Sequence, residues 1–358
     1  MPFFRLYNYI FFALLALLSS NSYAIDVTFI NPGFPDSAHQ ENNTGNFWFK
    51  VSKIMHNAAT DLDINLKVEY ANRNHILMKE LIRQAIQDNP DYLILVDEKS
   101  VASGYLTKLN TKDVPIYFLL NRPAEQQLNF LKRDGLNIIG SIIPDNQNAG
   151  KELAHKLYNK HTLSSNQTVN MLALLGDYTT AASIERTAGL NEFIEQKKGI
   201  TLTGQDVANW SEHESYIKTM AFMQLAPEIN TIWCANDAIA FGAQRALIKL
   251  NKQNHVLLGG INWDSPPKGL KPLDVTLGGH VLLGAFALTS IFDHNLKIDK
   301  QTQKHITLPI FNNLTTRNQP LVELINHGGL DIIDFKKFSK TSPEQLPFTV
   351  ENLLKQLH

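Results

Sequence analysis

From residue 26 onwards, short continuous apolar runs alternate with longer stretches in which apolar residues return every three or four positions. Runs bounded by turn residues read as strands of a sheet covered on both faces, and the 3.6-residue recurrence reads as amphipathic helix. This pattern predicts strands over 26–31, 66–70, 92–96 and 116–120, with helices over 46–62 and 76–86 between the first three. In the first helix the stripe is Phe47, Val51, Ile54, Met55, Ala58 and Leu62. A second half repeats the rhythm: helices over 149–158, 185–195, 212–225 and 238–250 alternate with strands over 169–175, 202–207, 231–234 and 256–260. A helix over 282–295 and a strand over 306–310 follow. The remainder, 319–358, is more polar and weakly patterned, with a short closing helix over 349–357.

Such alternation predicts an α/β fold of two Rossmann-like lobes, each a parallel sheet flanked by helices. The polar or Gly/Pro-bearing strand ends near 143–145, 277–279 and 310–314 predict three hinge crossings between the lobes. The expected division is 25–143 with 279–311 for the N-terminal lobe, and 144–278 with 312–358 for the C-terminal lobe and tail. Residues 1–24 stand apart. Arg5, an almost unbroken apolar run over 10–18, and Ser22-Tyr23-Ala24 have the layout of a secretory signal peptide cleaved after Ala24. That run is too short to span a bilayer. Export to the periplasm is the expectation, and no cysteine near the cleavage point suggests a lipid anchor.

Composition narrows the function. A net charge of −1, with acids and bases spread along the chain, offers no basic footprint for nucleic acid and no polybasic membrane segment. The single cysteine, Cys234, lies in an apolar strand and reads as a core thiol. There is no GxSxG, HExxH, GxxxxGK[ST] or GxGxxG motif. The nearest approach to a metal set, Asp36, His39 and Glu41, reads as a solvated loop, so neither metal nor cofactor is expected.

Function is therefore sought outside the carboxyl ends of the strands, where open α/β sheets bind ligands. Asn31, Asn121-Arg122, Gly176-Asp177, Asn209-Trp210, Asn236-Asp237, Asn262-Trp263-Asp264 and Gly279-His280 stand there. Amides, a guanidinium and indoles suit a hydroxyl-rich ligand, because aromatic faces stack on C–H surfaces while forked donors and acceptors pair with adjacent hydroxyls. Plainer roles compete. Asn236 and Asn46 are good helix N-caps, and Phe47, Trp48 and Trp210 could be packing residues. Arg122, between an apolar strand and Pro123, is the strongest candidate for a ligand anchor.

Five segments in order resemble the ribose-binding family of type I periplasmic binding proteins, kin to the effector domains of lactose-repressor-type regulators. They are YFLLNRP (117–123), SIIPDNQNAGKELA (141–154), ERTAGLNEF (185–193), IWCANDAIAFGAQRAL (232–247) and GGINWDSPPKGL (259–270). The resemblance covers about 26–314, and a signal peptide stands where the regulators carry a helix-turn-helix. It implies a non-catalytic, monomeric protein that closes on a small polar, sugar-like ligand. The implied contacts are Phe47, Trp48, Asn121, Arg122, Trp210, Asn236 and Asn262; Asn31 and His280 join them from their strand-end positions.

The departures bear on the ligand. Asparagines 121 and 262 stand where the family has sugar-gripping carboxylates. The second-lobe arginine position falls on Ile184, with Arg186 matching a more structural arginine. The hinge glutamine is Gly279, with His280 beside it. A ligand other than ribose, galactose or glucose is expected: another polyol, a sugar derivative or a furanone-like signal. The stretch 278–295 is similar to a branch serving sensory systems, so two partners are implied, an ABC permease or a membrane sensor such as a histidine kinase, chemoreceptor or cyclic-dinucleotide enzyme. An exported hydrolase on this scaffold is the remaining alternative, and no nucleophile–base pair is visible for it.

Overall fold

The structure is a computed structural model that describes residues 24–36, 44–109, 113–165, 168–298 and 304–357. The signal-like segment before Ala24, together with His39 and Glu41, lies outside the described residues. Among those described, no helix is long and apolar enough to cross a membrane.

Two six-stranded sheets form the molecule. The first contains β1 (Ile25–Asn31), β2 (Ile64–Tyr70), β3 (Tyr92–Leu95), β4 (Ile116–Leu119), β5 (Ile138–Pro144) and β11 (Lys304–Leu308), in the order β11-β5-β4-β3-β1-β2 and parallel throughout. The second contains β6 (Val169–Leu175), β7 (Ile200–Val207), β8 (Thr231–Cys234), β9 (Leu257–Ile261), β10 (Val275–Gly278) and β12 (Asn312–Asn313), ordered β12-β10-β9-β8-β6-β7. Only the two-residue β12 runs antiparallel there. The two-lobed α/β reading holds, and the chain passes from one sheet to the other after β5, after β10 and between β11 and β12.

Helices of the first lobe are α1 (Phe47–Asp61), α2 (His75–Asp88), α3 (Val101–Leu106) and α4 (Glu125–Arg133). The second carries α5 (Asn146–Ser164), α6 (Ala181–Gln196), α7 (Glu212–Leu225) and α8 (Asp237–Lys249), and α9 (Leu283–Asn295) returns to pack on α1. Strands β3, β4 and β8 are buried at every position, as expected of central parallel strands. The short helices α3 and α4 escaped the periodicity reading because six and nine residues give a 3.6-residue stripe too few repeats to register.

Helices α5 and α6 cross with their backbones in near contact. A Cβ on Gly189 would sit 1.8 Å from the Gln147 carbonyl oxygen, and one on Gly150 would sit 1.9 Å from that of Arg186. Only glycine permits this approach, and it packs the start of α5 (Gln147–Gly150) against the middle of α6 (Arg186–Gly189).

The tail departs from expectation. Residues after β12 do not belong with the C-terminal lobe. Helix α10 (Gln319–His327), two 3₁₀ turns and α11 (Val350–Leu354) lie over the N-terminal lobe, where Leu321, Ile325, Phe335, Phe338, Phe348 and Leu353 join one apolar core with α1 and α9. The Phe335 N–H donates to Asp61 Oδ2 at 2.8 Å, and Asp293 accepts from the Ser339 hydroxyl at 2.5 Å. The aromatic anchors are irregularly spaced, so no period marked them, yet α1 and α9 would leave apolar surface uncovered without them. Phe335 is fully buried. Replacing it with alanine should therefore cost about 3–5 kcal/mol, read as a fall in the urea midpoint; a change below about 0.5 kcal/mol would mean that the tail is only loosely applied.

Candidate functional site

The strands of both sheets direct their carboxyl ends at one another, and a cavity of about 580 Å³, counting the space at its mouth, lies between them. Seven of the nine residues singled out from the sequence line it: Phe47, Trp48 and Asn121 from the first lobe, Trp210, Asn236 and Asn262 from the second, and His280 from the second crossing back.

The other two do not. Asn31 is fully buried and braces the wall from behind: its amide donates to the Trp48 carbonyl at 2.9 Å and accepts from the Gly33 N–H at 2.8 Å. Arg122 is half-buried and lies off the wall, its charge acting on Glu185 and His305. The cause is local. Leu120 adopts a left-handed conformation (φ 64°) and the Asn121 N–H donates to the Leu119 carbonyl at 2.7 Å, a tight turn that ends the alternation of strand β4. Asn121 faces the cavity as a result, and Arg122 leaves it.

The second lobe's arginine in the cavity wall is Arg186, which the sequence had suggested was structural, while Ile184 is exposed. The guanidinium is only 4% exposed and binds neutral acceptors: Ala235 O at 2.7 Å, Asn146 Oδ1 at 3.1 Å and His280 Nε2 at 3.3 Å. Rings of Trp210 and Phe311 lie 5.8 and 5.6 Å from it. Burial pulls its pKa down to about 10, which leaves it charged at neutral pH. Because an arginine can only donate, His280 Nε2 must accept, and the proton of the neutral ring sits on Nδ1. Burial, then the Arg186 charge, hold this histidine well below its usual pKa. Phe47 stacks on the ring at 4.7 Å and Phe311 approaches at 4.6 Å.

The aromatic walls are fixed by bonds and by missing side chains. Trp210 donates its indole N–H to Asp177 Oδ2 at 2.9 Å. A Cβ on Gly176 would fall 2.3 Å from the Trp210 ring, so glycine at the end of β6 makes room for it. Asp177 also accepts from the N–H groups of Thr179 and Thr180 and from the Thr180 hydroxyl; burial opposes its ionisation, yet these bonds hold its pKa below the ordinary value. The sequence left open whether Asn236 is a cap or a cavity residue, and the geometry makes it both: its Oδ1 accepts from the Ile239 N–H at 2.9 Å. Asn46 stands at the N-cap position of α1 without a side-chain cap bond.

Arg73 and Glu98, paired at 2.7 Å, also line the cavity, as do Asn146 and Thr180. None of these was singled out. The strand-end rule, applied to β2 and β3 as well as to the strands beside them, would have found the ion pair.

Among the described residues, two ion pairs join the lobes beside the cavity. Lys50 on α1 contacts Asp264 of the second lobe at 2.5 Å, and Lys99 lies 3.9 Å from Asp177. Asn326 of the tail accepts from Lys50 as well and donates to the Trp263 carbonyl at 2.9 Å.

Residues 41–273 match the family described as the periplasmic binding protein domain. The chain belongs to this family. Among curated relatives, the D-apiose import binding protein of Actinobacillus succinogenes is 27% identical over 181 residues, covering 50% of this chain and 54% of the relative, so the chain spans about half of that protein's length. The D-allose-binding periplasmic protein of Escherichia coli is 22% identical over 237 residues, 64% of this chain and 72% of the relative. A solved periplasmic sugar-binding protein from Pseudomonas fluorescens superposes with a TM-score of 0.77 at 26% identity, covering 92% of this chain and 99% of its own. An ABC transporter solute-binding protein from Bacillus halodurans with bound myo-inositol superposes at 0.66 with 18% identity, over 86% and 100% of the two chains, and shares the fold. The sequence reading of a type I periplasmic binding protein therefore stands, and its relatives are binding proteins.

One buried acid of this binding-protein site has a measurable signature. Asp237 is fully buried beneath the Asn236 cap, where it accepts from the Thr276 hydroxyl and the Asp264 N–H. Burial, then the charge of Asp264, push its carboxyl well above the usual range. The folded state thus holds a proton that the unfolded chain releases, so this stabilisation is complete below about pH 4 and is lost as pH rises towards the folded pKa. Asp237→Asn should flatten the decline of melting temperature between about pH 5 and pH 8. An unaltered slope would mean that the carboxyl is already ionised across that range.

Proposed function

We propose that this protein is a periplasmic solute receptor that closes its lobes around a small, polar, sugar-like ligand and delivers it to an ABC importer. The carrying observation is the cavity between the strand ends, with Phe47, Trp48 and Trp210 as aromatic walls and Asn121, Asn236 and Asn262 as amide contacts. Family membership and the sugar-binding names of its relatives support the ligand class. Export with cleavage after Ala24 and action as a monomer complete the reading.

Binding without catalysis fits the chemistry of the wall. Cys234, a nucleophile by residue type, is fully buried, and burial pushes its thiol pKa up. Serving as a receptor requires only that ligand favour the closed arrangement, because that state alone contacts it from both lobes.

A thermal-shift screen of the chain from residue 25 against sugars, polyols and sugar derivatives tests this. Ligand at about 1,000 times its Kd adds about 4 kcal/mol to stability. Calorimetry with a hit then locates the site. Trp210→Ala should weaken binding by about 2 kcal/mol, whereas Arg122→Ala should change it by less than about 0.5 kcal/mol. The reverse order would move the binding site out of this cavity and towards Arg122.

A further inference from the structure

Resting on the reading of this cavity as a sugar site, we propose that Asp264 is a positioning residue for the ligand: it fixes the Asn262 amide with its oxygen towards the cavity. That selects a sugar which donates a hydroxyl hydrogen at this point of the wall.

The orientation follows from the bonds. Asn262 stands directly after β9 and lines the cavity, while Asp264, two residues on, lines a separate groove that also holds Lys50 and Asn326. The Asn262 Nδ2 donates to Asp264 Oδ2 at 3.1 Å. Turned the other way, the amide oxygen would meet a carboxylate oxygen with no proton between them, so the carboxylate leaves the amide one orientation. Asn262 Oδ1 then takes no bond from any described residue, and it is not among the polar atoms sealed from solvent. Because Asn262 lines the cavity and not the groove, that oxygen is what the residue offers to a ligand. Asn236 provides the contrast. Its Oδ1 is taken by the Ile239 N–H at 2.9 Å, so its amide N–H groups are what remain. Two asparagines thus stand in one wall with opposite polarity, each set by a partner outside the cavity.

Asp264 is itself held. Its Oδ1 accepts from Lys50 Nζ at 2.5 Å, and its N–H donates to Asp237 Oδ2 at 2.8 Å. Lys50 belongs to α1 of the first lobe and also donates to Asn326 of the tail, which returns to the second lobe by donating to the Trp263 carbonyl at 2.9 Å. One carboxylate oxygen is therefore occupied by the opposite lobe and the other by the cavity residue. The Lys50 and Asp264 side chains are each only 11% exposed, so the pair stands largely out of water. The acceptor in the wall is fully braced only while the lobes are together, which is when a ligand is enclosed. A ligand hydroxyl meets Asn262 Oδ1 by donating. A fluorine or ether oxygen in its place would face that atom acceptor to acceptor and leave it unpaired.

Calorimetry on the chain from residue 25 tests the proposal. The parent sugar is the tightest binder among D-ribose, D-xylose, D-arabinose, D-galactose, D-mannose and D-glucitol, or the strongest sugar of the thermal-shift screen if none of these binds. Each of its hydroxyls is then replaced in turn by fluorine, which keeps an acceptor and removes the donor. At least one replacement should cost the wild type about tenfold or more in affinity. In Asp264→Asn the new amide can donate to Asn262 Oδ1 and turn the Asn262 N–H groups to the cavity. The loss at one such position should then shrink to less than about threefold, while the other positions keep their wild-type ratios. Ratios unchanged at every position in Asp264→Asn, whatever its affinity for the parent sugar, overturn the positioning role. A wild-type series in which no fluorine is costly does the same, and either result leaves the receptor function standing. If Asp264→Asn shows no cooperative melting, Asp264→Ser, which frees the Asn262 amide to rotate, takes its place with the same expected ratios. If no sugar or polyol binds at all, the sugar reading of the cavity falls and this proposal with it.

Discussion

A single buried guanidinium ties together the parts of this molecule that meet at the cleft. Arg186 reaches the carbonyl that ends β8, the side chain that opens α5 just after the first crossing, and the histidine that follows the second crossing. These three partners come from distant segments, so one desolvated charge fixes their mutual placement. Removing one partner of such a group leaves polar atoms stranded in a poorly solvated place, which makes the arrangement stiff as well as specific. The close crossing of α5 and α6 at Gly150 and Gly189 delivers Arg186 to this point, and the stacked Phe47 and Phe311 stop His280 from turning away.

The aromatic surfaces follow from that frame. Trp210 lies over Arg186 and is held by Asp177, while Trp48 is pinned through its carbonyl by Asn31. Polar groups at the strand ends thus fall into two layers, one that faces the cavity and one that orients the first. Asn31 and Asp177 belong to the hidden layer, and Asn121, Asn236 and Asn262 to the facing one. The ion pairs Lys50–Asp264 and Lys99–Asp177 join the lobes at separate places beside the cavity, so relative movement of the lobes must break or remake them.

Most of the fold was legible because parallel strands buried on both faces print continuous apolar runs, and β6, α7 and β8 match their predicted limits residue for residue. The site was legible as a region, since strand ends are where such sheets bind, but less so as side chains. A left-handed Leu120 moved Arg122 off the wall, and nothing in the residue types NRP reveals that turn. Arg186 was passed over because its reach to the cavity depends on how α6 crosses α5, a tertiary fact. The tail was unreadable for another reason: Phe335 and Phe338 anchor it from one 3₁₀ turn and Phe348 from a stretch without regular structure, and neither carries a period to detect.

The placement of that tail sets an order of events for the folding chain. The second lobe draws its sheet, apart from the two-residue β12, from one unbroken stretch between β6 and β10. The first lobe lacks its edge strand β11 and the cover over α1 and α9 until the last fifty or so residues arrive. Its contacts are the more distant in sequence and cost more chain entropy to close. The lobe that begins the chain is therefore the lobe that finishes last, and a chain emerging amino end first carries its half-built first lobe beside a completed second one. During that interval the exposed flank of α1 and α9 is the surface that a chaperone would shield or a protease would find.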